Sequence, residues 1–129
     1  MTQKIHCSYL TNTNIEIKTD GVKDILHTAH DGKNQYATPG DLLVAALGAC
    51  TLTMMGVIAE KNGEKLDGAK LSLTPVFAEN LSGLQKVDLH IVFPPHFSSD
   101  LRRKCLNAAK SCPVHRSLNP AIVSNITCE

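Results

Sequence analysis

Three features of the 129-residue chain predict an α+β fold with helices packed on a curved antiparallel sheet: alternating apolar residues near both ends, an uncharged run of 18 residues in the first half, and an amphipathic helical pattern near residue 100. The predicted order is strands, long helix, strands, helix, strand, within one domain spanning residues 1–129. No internal repeat, low-complexity segment or linker interrupts it.

The first strand pair comes from Ile5, Cys7 and Tyr9 alternating with His6, Ser8 and Leu10, followed by the polar turn Thr11–Asn14 and the run Ile15–Lys18. Val22 to His27 is predicted as a third strand, ending near the turn signal Asp31–Gly32. Thr38-Pro39-Gly40-Asp41 carries the residues that open a helix, and Leu42 to Ala59 continues it without a charge until Gly63 provides a stop. That run has the length of a membrane span, but its Ala, Gly and Thr content and tight borders at Asp41 and Glu60 favour the buried axis of a globular fold. Wrapping it on every side takes several strands or a second copy of the chain. Lys70 to Phe77 reads as a strand, and Val87, Leu89, Ile91 and Phe93 alternate with polar neighbours as a half-buried strand that Pro94-Pro95 ends. Ser98 or Ser99 caps a second helix with Leu101, Cys105, Ala108 and Ala109 inward and Arg102, Arg103, Lys104 and Lys110 toward water. Pro113 breaks this helix and opens a short turn through Leu118, and Ile122 to Cys128 closes the fold as a strand.

The composition narrows the function. Thirteen Lys and Arg against 12 Asp and Glu give a net charge of +1, with both signs scattered, so no broad field draws phosphate backbones or anionic membranes. Five aromatic residues and no Trp leave few platforms for base stacking. The expectation is neither a nucleic-acid partner nor a membrane partner. Five cysteines, an odd number at irregular spacing, do not form a secreted disulfide lattice, and no apolar leader follows Met1. The expected home is the cytoplasm, with the cysteines as thiols.

Each cysteine is then either a small hydrophobe or a reactive group. Cys7, Cys105 and Cys128 fall in strand or helix patterns that an ordinary buried thiol explains. Cys50 lies on a helix stripe with Leu43, Ala46, Leu47, Met54 and Val57, where core filling is the simpler reading. Cys112 differs, because Pro113 places it at the cap of the following turn. There its sulfur meets free backbone N–H groups and the positive end of a helix dipole, which favour a thiolate, and His115 and Arg116 add positive charge nearby. The residues alone leave open whether Cys112 is reactive. Cys112 and His115 together with His27 and His30 also make a possible zinc set. Neither pair has Cys-x-x-Cys spacing, and the expectation is no metal and no cofactor.

The segments Thr38-Pro-Gly-Asp-Leu-Leu-Val-Ala-Ala-Leu-Gly-Ala-Cys50-Thr and Ser111-Cys112-Pro-Val-His-Arg-Ser-Leu118, followed by a terminal strand, resemble the OsmC/Ohr family of thiol-dependent peroxidases, and most closely its OsmC-like branch. The resemblance implies an intertwined homodimer in which two long central helices are wrapped by sheets of both subunits. It also implies roles: Cys50 as the peroxidatic thiolate, Cys112 as the resolving thiol, and a thiol or dihydrolipoyl-type reductant that restores the pair. A buried thiolate needs a cation or donors nearby, and the family usually supplies an arginine held by a glutamate shortly before the helix cysteine. Here Gly40 occupies the glutamate position, with Asp41 beside it, and no arginine precedes Arg102, which leaves His30 and Lys33 as the nearest basic residues ahead of the helix. The leading expectation is a hydroperoxide reductase acting through Cys50 and Cys112. A second is a catalytically weak protein of the same fold whose apolar dimer-interface cleft binds a small molecule.

Overall fold

The computed structural model of the chain describes residues 3–30, 33, 35–80 and 83–129. Two compact units divide it, residues 1–43 and 44–129. The turn signal at Asp31–Gly32 lies outside the described residues.

The N-terminal unit holds a three-stranded antiparallel sheet in the order β1 (Ile5–Thr11), β2 (Asn14–Thr19), β3 (Leu26–Thr28). Asn12 and Thr13 join β1 to β2 with φ of 49° and 63°. Positive φ at both loop residues matches the right-handed twist of a tight hairpin, and Asn tolerates that region well. The third strand is shorter than the predicted Val22–His27. Gly21 turns the chain at φ 77°, with the Val22 amide bonded to the Thr19 carbonyl, and only Leu26–Thr28 reach the ladder, opposite Ile17–Ile15.

Helix α1 runs Pro39–Lys61. Its start is a reciprocal capping box: the Asp41 amide donates to Thr38 Oγ1 and the Thr38 amide donates to Asp41 Oδ2, each at 3.1 Å. Its end is a Schellman turn in which Gly63, at φ 75°, donates to the Glu60 carbonyl and Glu64 donates to that of Ala59.

In the C-terminal unit, β4 (Lys70–Phe77), β5 (Leu84–Val92) and β6 (Val123–Cys128) form a sheet in that order. β4 and β5 pair antiparallel, but β6 runs parallel to β5, so the predicted all-antiparallel sheet is corrected to a mixed one. Periodicity marks a strand without giving its direction. Here the chain returns to the sheet through helices α2 (Ser99–Ala109) and α3 (Pro113–Ser117), a crossover that suits parallel pairing. Ser98 caps α2 by accepting from the Leu101 amide at 3.1 Å. Arg102 leaves the predicted solvent face: it is half-buried, donates through Nε to the Phe97 carbonyl and sets its guanidinium 5.4 Å from the Phe93 ring.

Two buried clusters fill this unit. One joins Met55 and Ala59 of α1 to Ile91, Phe93, Phe97 and the inner face of α2, Leu101, Cys105 and Ala109. The other joins Val44 and Leu47 of α1 to Val87, Leu89 and Cys112. α1 comes so close to β4 at Gly48 that a Cβ there would stand 2.6 Å from Leu73 Cδ1. Thr51, also buried, donates its hydroxyl to the Leu47 carbonyl at 2.8 Å, which lets a polar residue sit in the interior.

The burial of α1 is one-sided. Its buried residues, among them Val44, Leu47, Thr51 and Met55, recur at helical spacing, while Val57 remains 42% exposed. Within one chain the helix is therefore not the fully enclosed axis its composition predicts. By length and composition alone it is apolar enough to cross a membrane. Exposure also corrects two cysteines: Cys7 on β1 and Cys128 on β6 are exposed rather than buried. Every residue of β1 is exposed, and Cys128 is the last residue of a strand with a neighbour on one side only.

Candidate active site

Cys112 sits at the N-cap of α3, where Pro113 occupies the first helical position and spares an amide that would otherwise lack a partner. With φ −58° and ψ 126°, Cys112 lies outside helical geometry, as a residue before proline must, and its Sγ accepts from the His115 amide at 3.5 Å. Its side chain is fully buried. Cys50, half-buried, projects from α1 into the same cluster, among Leu47, Val87, Leu89 and Val114. The two thiols are close enough that Cys50 perturbs the proton affinity of Cys112. Residues 62 positions apart in the sequence thus meet where a helix cap faces the middle of α1.

The electrostatics of Cys112 reverse the thiolate preference predicted from its cap position. Burial raises its pKa above the ordinary thiol value, and the Cys50 side chain raises it further; donation from the His115 and Val114 amides opposes this without overcoming it. Two weak N–H···S contacts compensate a charged sulfur less than lost hydration and a neighbouring sulfur penalise it. Burial therefore favours the protonated thiol of Cys112 at neutral pH.

His30 and Lys33 belong to the N-terminal unit, on the segment after β3; the His30 amide donates to Thr13 Oγ1 at 3.1 Å. His115 reaches Cys112 through its backbone amide, while its side chain and that of Arg116 line a cavity with Lys110. Asp41, beside the position of the missing glutamate, has one carboxylate oxygen engaged by the Thr38 amide. Among the described residues no three His, Cys, Asp or Glu side chains are placed to hold a metal ion. The sequence reading passed over Lys110 and Ser124, which share the cavity with His115 and Arg116. A signal existed for Ser124, a hydroxyl between Ile122 and Ile126 on the inward-facing alternation of β6.

A long helix bearing one cysteine, packed on a sheet whose last strand follows a Cys-Pro cap, is a specific arrangement to compare. A family model described as OsmC-like protein matches residues 32–127. The chain belongs to the OsmC family. Solved structures of similar fold include an osmotic-stress and detoxification response candidate from Psychrobacter arcticus 273-4, with TM-score 0.90 and 24% identity over 100% of this chain and 96% of that one. An OsmC-like protein from Mycoplasma pneumoniae has TM-score 0.85 and 16% identity, again covering 100% and 96%. The organic hydroperoxide resistance protein OhrB of Bacillus subtilis has TM-score 0.71 and 15% identity, covering 100% and 98%. No curated protein matches the chain. Family membership carries the OsmC-like α+β fold.

Proposed function

We propose that the protein reduces hydroperoxides with Cys50 as the attacking thiolate and Cys112 as the resolving thiol. The observation that carries the reading is the proximity of these two thiols, one on α1 and one at the cap of α3, packed in one cluster of apolar side chains. Half-buried Cys50 is the sulfur a substrate can reach, and fully buried Cys112 stands behind it as a donor.

The Cys50 thiolate attacks the terminal oxygen of the hydroperoxide; an S–O bond forms, the O–O bond breaks, and the alkoxide leaves and takes a proton to become an alcohol. Cys50 is then a sulfenic acid. The Cys112 sulfur attacks it, an S–S bond forms, and hydroxide departs with the Cys112 proton as water. A dithiol of dihydrolipoyl type, or two simple thiols, reduces the disulfide and is itself oxidised to a disulfide. One hydroperoxide and one dithiol become one alcohol, one water and one disulfide. Keeping Cys112 protonated until the sulfenic acid forms fits this order, because its proton is the one hydroxide needs.

We also place the protein in the cytoplasm, where its five free cysteines rest as thiols, and infer that it works as a homodimer. Val57 of α1 and Ile5 and Tyr9 of β1, at 42%, 66% and 68% exposure, are large apolar residues that a second copy would cover. The direct test is consumption of an organic hydroperoxide with a dithiol present. The wild-type chain turns over, and Cys50→Ser and Cys112→Ser do not. Equal consumption by wild type and Cys50→Ser would overturn the assignment.

A further inference from the structure

A second hollow borders α3. Lys110, at the end of α2, and His115 and Arg116, on α3, line a cavity of about 260 Å³ closed by the turn after α3 and by the start of β6. The lining contains no Asp or Glu. The ion pairs among the described residues use His6, Lys18, Lys86, His90, His96, Arg103 and Lys104, and neither Lys110 nor Arg116. Two permanent cations thus face one hollow without a carboxylate of their own.

Ser124 lines the same cavity from β6, but its Oγ is sealed from water-sized groups and stays outside the binding set. The amides of the adjoining turn are already engaged: Leu118 donates to the His115 carbonyl, Ala121 to Asn119 Oδ1 and Ile122 to the Asn119 carbonyl. Recognition therefore falls to side chains. An array of backbone N–H groups of the kind that cradles phosphate is not free here. The other wall is apolar, formed by Leu118, Pro120 and Ile122.

We propose that this cavity binds a small carboxylic acid, with the carboxylate held by Arg116 and Lys110 and a short apolar chain laid against Leu118, Pro120 and Ile122. A guanidinium matches a carboxylate as a planar fork and a lysine adds a point charge, whereas the apolar wall gives nothing to a bare inorganic ion. At about 30 Å³ for each water-sized group, the cavity has room for roughly eight non-hydrogen atoms, the size of hexanoate. The site is independent of the redox reading, since neither Cys50 nor Cys112 lines it.

The test is a titration of the full, ¹⁵N-labelled chain with hexanoate, followed by amide shifts. Inorganic phosphate, hexanol and sodium chloride at matched ionic strength form the other arms. Saturable shifts at His115, Leu118 and Ser124 are expected with hexanoate. Arg116→Ala and Lys110→Ala should each weaken binding by about fivefold or more, and Arg116→Lys should recover part of it. Both cations are exposed, so the folded spectrum will persist elsewhere in each variant. Failure of hexanoate to saturate, or saturation unchanged in the Lys110→Ala, Arg116→Ala double variant, overturns the proposal. Phosphate binding as tightly as hexanoate would mark a general oxyanion site, and hexanol binding as tightly would mark an apolar dent; either result also overturns it.

Discussion

Cys105 and Cys112 are both fully buried thiols held next to α1, and burial raises the pKa of each. Cys105, on α2, donates its S–H to the Met55 carbonyl at 3.7 Å and packs among Phe97, Leu101 and Ile91. Cys112 accepts from the His115 amide and lies beside a second sulfur. The difference lies in the partner and not in the burial. A carbonyl offers a thiol a place to leave its proton and nothing to react with, whereas a neighbouring cysteine offers an electrophile once it is oxidised. On the proposed mechanism, reactivity is a property of the pair.

The largest effect that would break this comparison is catalytic. Cys50→Ser should lower hydroperoxide consumption by at least about 100-fold and Cys112→Ser with a dithiol reductant by at least about tenfold. Cys105→Ala should leave the rate within about twofold, because Cys105 faces no second sulfur. Steady-state assays of the three variants decide this. A loss in Cys105→Ala matching that in Cys112→Ser, with the fold intact, would erase the distinction between the two regions.

The next effects are on stability. Gly48→Val should cost about 1–3 kcal/mol in denaturant unfolding, because the new side chain must displace Leu73 from its packing beside the Cys50 cluster. Cys105→Ala should cost about 1 kcal/mol, the loss of one well-packed sulfur and its contact with Met55. Ser98→Ala removes the cap of α2 and should cost a similar amount, about 1 kcal/mol.

The smallest effect is a pH slope. Both buried thiols have pKa values raised above the unfolded value of 9.0. An acid held protonated by the fold binds more protons in the native state than in the unfolded state once pH passes its unfolded pKa. Stability from this source is therefore complete below pH 9 and declines as pH climbs from there through the folded values. Thermal unfolding should show the midpoint falling more steeply above pH 9 in the reduced wild type than in a Cys105→Ala, Cys112→Ala double variant. Equal slopes would mean that burial does not govern these protons.

Much of the frame is legible in the residues themselves. Thr38-Pro-Gly-Asp41 announces a capping box and Gly63 a Schellman stop, because both are local and depend on residue type. Pro113 likewise fixes Cys112 at a cap. What local chemistry does not carry is long-range. The parallel direction of β6, the exposure of Cys7 and Cys128 and the contact of Cys50 with Cys112 depend on how elements pair, and an alternating pattern looks the same in either strand direction. The charge state predicted for Cys112 failed for a related reason: the dipole at its cap is a sequence feature, but the desolvation that outweighs it comes from Val87, Leu89 and α1, remote in the chain.

The central claim concerns which sulfurs join, and peptide mapping under non-reducing conditions reads that directly. After one equivalent of organic hydroperoxide, the account predicts a single new cross-linked species joining the peptides of Cys50 and Cys112, with Cys105 still a thiol. Oxidation confined to exposed Cys7 and Cys128, with the Cys50 and Cys112 peptides recovered unlinked, would contradict it.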